Sequence, residues 1–156
     1  MSNQKIEPMR SRNGFTLIEL LIVLILIGIV GGMAVTNVGR TMSQTRVQRA
    51  ASVIATDLRL AHSMAARQRR PVVIAVDGTN RVIRVRDAAT PTTVYSERHF
   101  GTSSELPVQL LTATPATVQV NPNGLAAGPI AVTVRWADRT RVVKMSRAGM
   151  VRVSGS

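Results

Sequence analysis

The segment Gly14-Phe15-Thr16-Leu17-Ile18-Glu19-Leu20 opens a long apolar stretch near the start of the chain. From residue 20 to residue 35 no charged or polar side chain occurs, and within residues 15–38 Glu19 is the only charge. At about 1.5 Å per residue, residues 15–38 would form about 36 Å of helix. Because the apolar core of a bilayer is about 30 Å thick, we expect residues 15–38 to form a transmembrane helix.

A secretory signal peptide is the competing interpretation of this apolar run. Its apolar region usually spans about 7–15 residues and ends at a small-residue cleavage site. Here the run is longer and Gly14 precedes it, so cleavage beside Gly14 would leave the apolar segment on the mature chain. Basic residues flank the run on both sides, at Lys5, Arg10, Arg12, Arg40, Arg46 and Arg49. The positive-inside rule therefore does not set the orientation.

Beyond the apolar run, the helical pattern continues with one apolar stripe at helical period. The stripe consists of Val47, Ala51, Ile54, Leu58, Ala61 and Ala65. No proline occurs between Phe15 and Arg70, so residues 39–70 are predicted to be an amphipathic continuation of the same helix. Pro71 is expected to end that helix.

From residue 71 onward, the pattern predicts short strands separated by turns. The predicted strands are residues 72–76, 81–86, 93–98, 108–111, 117–120, 130–136, 139–145 and 150–153. Turn signals occur at Asp77-Gly78 and at Asn121-Pro122-Asn123-Gly124. The expected fold class is therefore α+β, with a long N-terminal helix whose second half packs against a small antiparallel β domain, residues 71–156.

The composition excludes several kinds of functional site. The chain has no cysteine, so disulfides and thiol nucleophiles are impossible. His62 and His99 are the only histidines, and the eight acidic residues form no cluster, so we expect no catalytic site, metal, cofactor or small-molecule substrate. Asp57 is expected to pair with a nearby arginine. The net charge of +12 fits nucleic acid, anionic lipid or simply a basic solvated surface.

The opening segment, Gly14 to Leu20, resembles the class III signal of type IV prepilins and type II secretion pseudopilins. The resemblance implies that prepilin peptidase cuts between Gly14 and Phe15, removes the leader (residues 1–14) and methylates the new N-terminus of Phe15. It also implies a single-pass protein of the bacterial inner membrane, with a cytoplasmic N-terminus and a periplasmic β domain. Such a protein assembles with other pilin-like subunits into a periplasmic pseudopilus or pilus.

Glu19 is unusual because a carboxylate in a membrane span costs about 2.5–3.5 kcal/mol at the centre of the bilayer. The resemblance implies an assembly role, in which Glu19 pairs with the freed amine of Phe15 on a neighbouring subunit or on its own chain. The alternative is that Glu19 lies at the membrane interface and is stabilised by the helix N-terminus. Gly28 and Gly32 form a small-xxx-small pair that would let helices approach closely, although glycine is also common in membrane spans.

The C-terminal region resembles the GspH/FimT family of pilin-like proteins. The resemblance is carried by Gly149-Met150-Val151-Arg152 within residues 146–153, together with the short chain and the absence of cysteine. It implies a minor pseudopilin of the type II secretion pseudopilus, which exports proteins across the outer membrane. The alternative is a minor type IV pilin that binds DNA for natural transformation through a Gly-Arg-x-Arg motif. Gly149 and Arg152 match that motif, Met150 replaces its first arginine, and Arg147 lies just upstream.

Basic residues near the C-terminus are compatible with the DNA-binding alternative. They are Arg135, Arg139, Arg141, Lys144, Arg147 and Arg152. A strip of such cations would bind phosphates in a salt-sensitive way, but an exposed antiparallel face shows the same alternation of arginine and valine. Aromatic stacking platforms are scarce. A third alternative is a membrane-anchored β domain with no assembly role.

Overall fold

The computed structural model describes residues 15–155, with the side chains of residues 33–40 left out of that description. Within these residues the chain forms one helix and eight strands. They are α1 (Leu17–Gln68), β1 (Val72–Asp77), β2 (Val82–Asp87), β3 (Val94–His99), β4 (Leu110–Thr114), β5 (Thr117–Val120), β6 (Ile130–Trp136), β7 (Arg139–Met145) and β8 (Val151–Gly155). The chain divides into two compact units, Met1–Gly39 and Arg40–Ser156.

The first unit contains the N-terminal part of α1. The side chains from Phe15 to residue 32 are all exposed, and Leu17 reaches 83% of its full exposure. The sequence predicts that residues 15–38 cross a membrane. Among the described residues, no helix combines the length and the apolar character that a membrane crossing requires.

The second unit contains the rest of α1 and all of the strands. The predicted apolar stripe is confirmed, because each of its six side chains is at most 1% exposed. α1 ends at Gln68, and Arg69 adopts a positive φ of 50° immediately after it. A left-handed residue of this kind commonly follows the last helical turn, and Pro71 prevents any continuation.

The strands form two antiparallel four-stranded sheets, in the orders β3-β2-β1-β5 and β4-β6-β7-β8. The chain changes sheet three times, because β4 lies in the second sheet, β5 returns to the first and β6 re-enters the second. Every predicted strand is present, so the α+β fold with a small antiparallel β domain is confirmed. The main difference is β4, which was predicted at residues 108–111 but spans Leu110–Thr114. Residues 108–109 precede the strand, and Thr112 to Thr114 belong to it because they pair with β6.

The inward faces of both sheets and the stripe of α1 form one hydrophobic core, in which Phe100 is fully buried. Gly78, directly after β1, lies against the backbone of β4. A Cβ added at Gly78 would lie 2.7 Å from the carbonyl oxygen of Leu111. Glycine at the predicted Asp77-Gly78 turn therefore allows the first sheet to approach the second closely.

An ion pair between a buried carboxylate and a partly exposed arginine connects α1 to the first sheet. Asp57 is 1% exposed, and Arg98 Nε donates to its two carboxylate oxygens at 3.0 and 2.7 Å. Burial raises the pKa of Asp57, and the hydrogen bond from Arg98 opposes that rise. The predicted pairing of Asp57 with a nearby arginine is confirmed. The pair fixes one face of the helix against β3.

A second carboxylate, Asp87, organises the connection between β2 and β3. Its Oδ1 accepts hydrogen bonds from the backbone N–H groups of Ala89 (2.8 Å) and Thr90 (2.9 Å). Its Oδ2 accepts a hydrogen bond from the Tyr95 hydroxyl at 3.0 Å. The backbone N–H of Thr90, the Tyr95 hydroxyl and the N–H of Ala89 hold the pKa of Asp87 below its ordinary value.

We expect Asp87→Asn to lower the urea midpoint of the full-length chain at pH 7. The folded pKa of Asp87 lies below the unfolded value of about 3.9, so its stabilisation is complete above about pH 4 and is lost as the pH falls through the folded pKa. The difference between Asp87→Asn and the parent chain should therefore shrink at pH 3 relative to pH 7. Glu105→Gln is the control, because Glu105 forms no hydrogen bond or ion pair within residues 15–155. A difference that stays the same at both pH values would contradict this assignment.

Candidate functional site

The predicted processing and assembly residues lie at the start of α1. Gly14 lies outside the described residues, whereas Phe15 is 81% exposed. Thr16 Oγ1 accepts a hydrogen bond from the backbone N–H of Glu19 at 3.3 Å, which caps the helix. The Thr16-x-x-Glu19 spacing and the acidic first turn both suit a helix N-terminus. Local helix chemistry therefore gives Glu19 a stabilising role within its own chain.

The Glu19 carboxylate itself forms no ion pair or side-chain hydrogen bond within the part of the chain that the structure describes. Further along α1, Gly28, Gly31 and Gly32 also have open space where a side chain would lie. A Cβ added at Gly28, Gly31 or Gly32 would meet no atom within 4 Å. Both the carboxylate and the glycines are thus accessible to a partner.

The second group of predicted site residues lies near the C-terminus, where β7 and β8 pair. The strand register places Lys144 directly opposite Arg152, so their side chains are neighbours on one face of the sheet. Both side chains are exposed. Within residues 15–155, neither cation forms an ion pair. The sequence pointed to Arg152 together with Arg147, but Lys144 is the cation that the fold brings beside Arg152.

A groove of about 570 Å³ lies over this cation pair; we call it the C-terminal groove. Its wall residues are Thr114, Pro129, Ile130, Ala131, Lys144, Met145, Ser146, Met150, Arg152 and Ser154. Ile130 and Met145 are 1% exposed and face the core, so the apolar side chains of the wall are Pro129, Ala131 and Met150. Three hydroxyl groups accompany the two cations. Met150, which replaces the first arginine of the Gly-Arg-x-Arg pattern, is 61% exposed and belongs to this wall.

Arg147 and Gly149 lie in the turn between β7 and β8. Arg147 is exposed and does not line the C-terminal groove, while its carbonyl oxygen accepts a hydrogen bond from the backbone N–H of Ala126 at 2.8 Å. Gly149 has a positive φ of 80°, which L-residues rarely adopt. Its backbone N–H donates to the carbonyl oxygen of Ser146 at 2.9 Å. The geometry of this turn therefore requires Gly149 independently of any ligand.

His62, on α1, contacts this turn and the turn that follows β5. Its Nε2 lies 2.7 Å from the carbonyl oxygen of Gly124, so Nε2 carries the proton and donates. A Cβ at Gly149 would overlap the His62 ring. His62 thus connects the helix to both turns. The sequence did not predict this role, since nothing in the spacing along the chain links position 62 to positions 124 and 149.

The six basic residues near the C-terminus do not form one strip. Strand register places Arg139 and Arg141 on the sheet face that carries the buried Val143 and Met145. The opposite face carries Lys144 together with the basic residues of β6 and β8, Arg135 and Arg152. The single basic strip considered from the sequence is therefore wrong, because alternate residues of a strand point to opposite faces.

Three further titratable side chains, Arg84, Glu97 and His99, form a cluster on the surface of the first sheet. Arg84 donates from Nε and Nη2 to the Glu97 carboxylate at 3.1 and 3.2 Å, which lowers the pKa of Glu97. His99 Nε2 lies 3.1 Å from the same carboxylate. Within the described residues, no three His, Asp or Glu side chains come together as a metal site would require.

Two family models match the sequence. Residues 9–35 match the prokaryotic N-terminal methylation motif, and residues 50–149 match the model described as type II transport protein GspH. No curated protein gives a significant match.

Three solved structures share the fold. Two are crystal forms of the type IV minor pilin FimU from Pseudomonas aeruginosa. One has a TM-score of 0.54 and 18% identity and covers 69% of this chain and 91% of FimU. The other has a TM-score of 0.58 and 17% identity and covers 73% and 92%. The third is the minor pseudopilin EpsH from the type 2 secretion system of Vibrio cholerae, with a TM-score of 0.51 and 11% identity, covering 70% of this chain and 97% of EpsH.

Proposed function

Because the chain belongs to the GspH family of type II transport proteins, we propose that it is a minor pseudopilin, a structural subunit of the type II secretion pseudopilus. The observation that carries the proposal is the exposed apolar helix. Large apolar side chains from Phe15 to Val30 are between 45% and 83% exposed. A soluble chain rarely leaves so much apolar surface in water, so this segment needs a partner or a membrane to cover it.

The N-terminal methylation motif supports the processing steps of the proposal. Prepilin peptidase cuts between Gly14 and Phe15, and the new amino group of Phe15 is methylated. Before assembly, the apolar segment anchors the subunit in the bacterial inner membrane, with the N-terminus cytoplasmic and the β domain periplasmic. In the filament, the same segment packs against other pilin-like subunits, with Gly28 and Gly32 allowing close approach. We assign the chain no catalytic step.

Intact-mass and peptide mass spectrometry of the chain purified from its own cells test this proposal. We expect a chain that starts at N-methylated Phe15, and we expect secreted proteins to accumulate in the periplasm when the gene is deleted. Complementation with the parent chain should restore export, whereas a Gly14→Asp chain should keep its leader and fail. Unprocessed protein, or normal export in the deletion strain, would contradict the proposal.

A minor type IV pilin that binds DNA is the second candidate function. The observation in its favour is the exposed Lys144–Arg152 pair, which has no acidic partner within residues 15–155. Phosphate contacts by such cations would give salt-sensitive, sequence-independent binding. A gel shift with the full-length chain in detergent tests this candidate. Retardation at low salt that disappears in a Lys144→Ala/Arg152→Ala chain would support it, and the absence of retardation would eliminate it.

A further inference from the structure

The Lys144–Arg152 pair is unfavourable in the isolated chain. Two like charges directly opposite each other on antiparallel strands, with Cβ atoms about 4.5–5.5 Å apart, repel and weaken the sheet. No carboxylate within residues 15–155 offsets that repulsion. A bound anion would remove it, because each cation would then gain a charge-assisted hydrogen bond. The register of β7 and β8 thus places two cations without an acidic partner side by side at the wall of the C-terminal groove.

The apolar part of the groove restricts what this anion can be. Pro129, Ala131 and Met150 supply the apolar side chains beside the two cations. Methionine side chains adapt to varied apolar partners and are frequent at peptide-binding surfaces. A peptide that carries both a carboxylate and apolar side chains would pair with the cations and pack against the apolar side chains of the wall. We propose that the C-terminal groove binds an acidic, partly apolar peptide segment of another pilin-like subunit.

Charge indicates that the partner is not a second copy of this chain. In the second unit, five of the six acidic side chains already have partners: Asp57 with Arg98, Asp77 with Asn80, Asp87 with Tyr95, Glu97 with Arg84, and Asp138 with Arg139. Glu105 is the sixth. Since the chain also carries a formal charge of +12, two copies repel each other. A subunit of different composition supplies the carboxylate more readily.

The same groove suits nucleic acid less well than it suits a peptide. Strong phosphate binding uses several cations along a track, whereas the groove wall holds only two, side by side. Arg135 shares their face but lies outside the groove, four residues along β6 from Ala131, the partner of Lys144. Arg139 and Arg141 face the other side of the sheet and cannot extend the track. Aromatic side chains, on which unpaired bases stack, are absent from the groove wall.

Peptide binding by the full-length chain in detergent tests the groove without requiring secretion. The probes are a short blocked peptide of alternating Leu and Glu, and its counterpart with Gln in place of Glu. We expect the parent chain to bind the Glu peptide about tenfold or more tightly than the Gln peptide. A Lys144→Ala/Arg152→Ala chain should lose this preference. An Arg59→Ala/Arg135→Ala chain removes the same charge from exposed positions outside the groove and should retain it.

Two outcomes of the peptide experiment would overturn the proposal. One is equal affinity for the two peptides, or an unchanged preference in the Lys144→Ala/Arg152→Ala chain. The other is displacement of the Glu peptide by a duplex oligonucleotide that binds more tightly at about 0.15 M salt, which would identify a nucleic-acid site.

Cross-linking in the native cell tests the identity of the partner, which rests on the proposed function. The chain contains no cysteine, so Ser154→Cys at the groove wall gives a single reactive position. We expect it to cross-link to an Asp- or Glu-containing segment of another pilin-like subunit, and an exposed Ser103→Cys control not to reach that segment. This identity of the partner would be overturned if the Ser154→Cys chain cross-linked only to nucleic acid. It would also be overturned if the chain, with its leader removed, formed no cross-link. Retention of the leader would instead count against the pseudopilin function and leave the peptide measurement unaffected.

Discussion

The free energy of unfolding of a Gly149→Ala chain should be about 2–4 kcal/mol lower than that of the parent chain. Two costs add: a non-glycine residue at a φ of 80° carries about 1–2 kcal/mol of backbone strain, and the new methyl group overlaps the His62 ring. If His62 moves aside, it loses its hydrogen bond to the carbonyl oxygen of Gly124, worth about 0.5–1.5 kcal/mol. Urea unfolding followed by circular dichroism measures the difference.

Gly101→Ala is the matched control, because a Cβ at Gly101 meets nothing within 4 Å and its φ is not in the left-handed region. A His62→Ala/Gly149→Ala chain separates the two costs, since it removes the overlap and keeps the backbone strain. The result decides how Gly149 is interpreted. If Gly149→Ala leaves stability unchanged while gel shifts show loss of DNA binding, Gly149 belongs to a ligand site and the structural explanation fails.

Gly149 illustrates what the sequence could and could not predict. Periodicity predicted the buried stripe of α1 and all eight strands, because each depends on residues close together along the chain. Strand order depends on pairings between distant residues, and the sequence did not predict it. The juxtaposition of Lys144 with Arg152 depends on the register across the β7–β8 turn, and the contact of His62 with Gly149 depends on how α1 packs against that turn. The sequence therefore identified Gly149 and Arg152 as candidate site residues but did not predict the contacts that each of them makes.

The connection between β4 and β5 is a second feature that the sequence did not predict. Thr112 and Thr114 lie in a Thr/Pro-rich stretch, and this composition predicted a break between two strands. In the structure, they continue β4 because each has a partner on β6. The next strand, β5, then pairs with β1 in the other sheet. Composition cannot show that two strands separated by Pro115 and Ala116 belong to different sheets.

The N-terminal assembly residues lead to the prediction with the greatest effect on function. A Glu19→Leu chain should be processed normally yet enter the pseudopilus about a hundredfold less than the parent. We propose that the Glu19 carboxylate pairs with the methylated amine of Phe15 on a neighbouring subunit, between assembled helices from which water is excluded. Removal of one partner leaves the other charge buried and unpaired, which costs about 3 kcal/mol or more.

The fold of the subunit should not change in the Glu19→Leu chain. Leucine is a good helix former, and the cap at Thr16 uses the backbone N–H of residue 19, which the substitution keeps. The measurement compares the amount of the chain in sheared, sedimented pseudopili with the amount in membranes, by immunoblot. Ile18→Leu, at the neighbouring position, is the control and should assemble like the parent. Normal incorporation of the Glu19→Leu chain would show that Glu19 serves only the helix N-terminus.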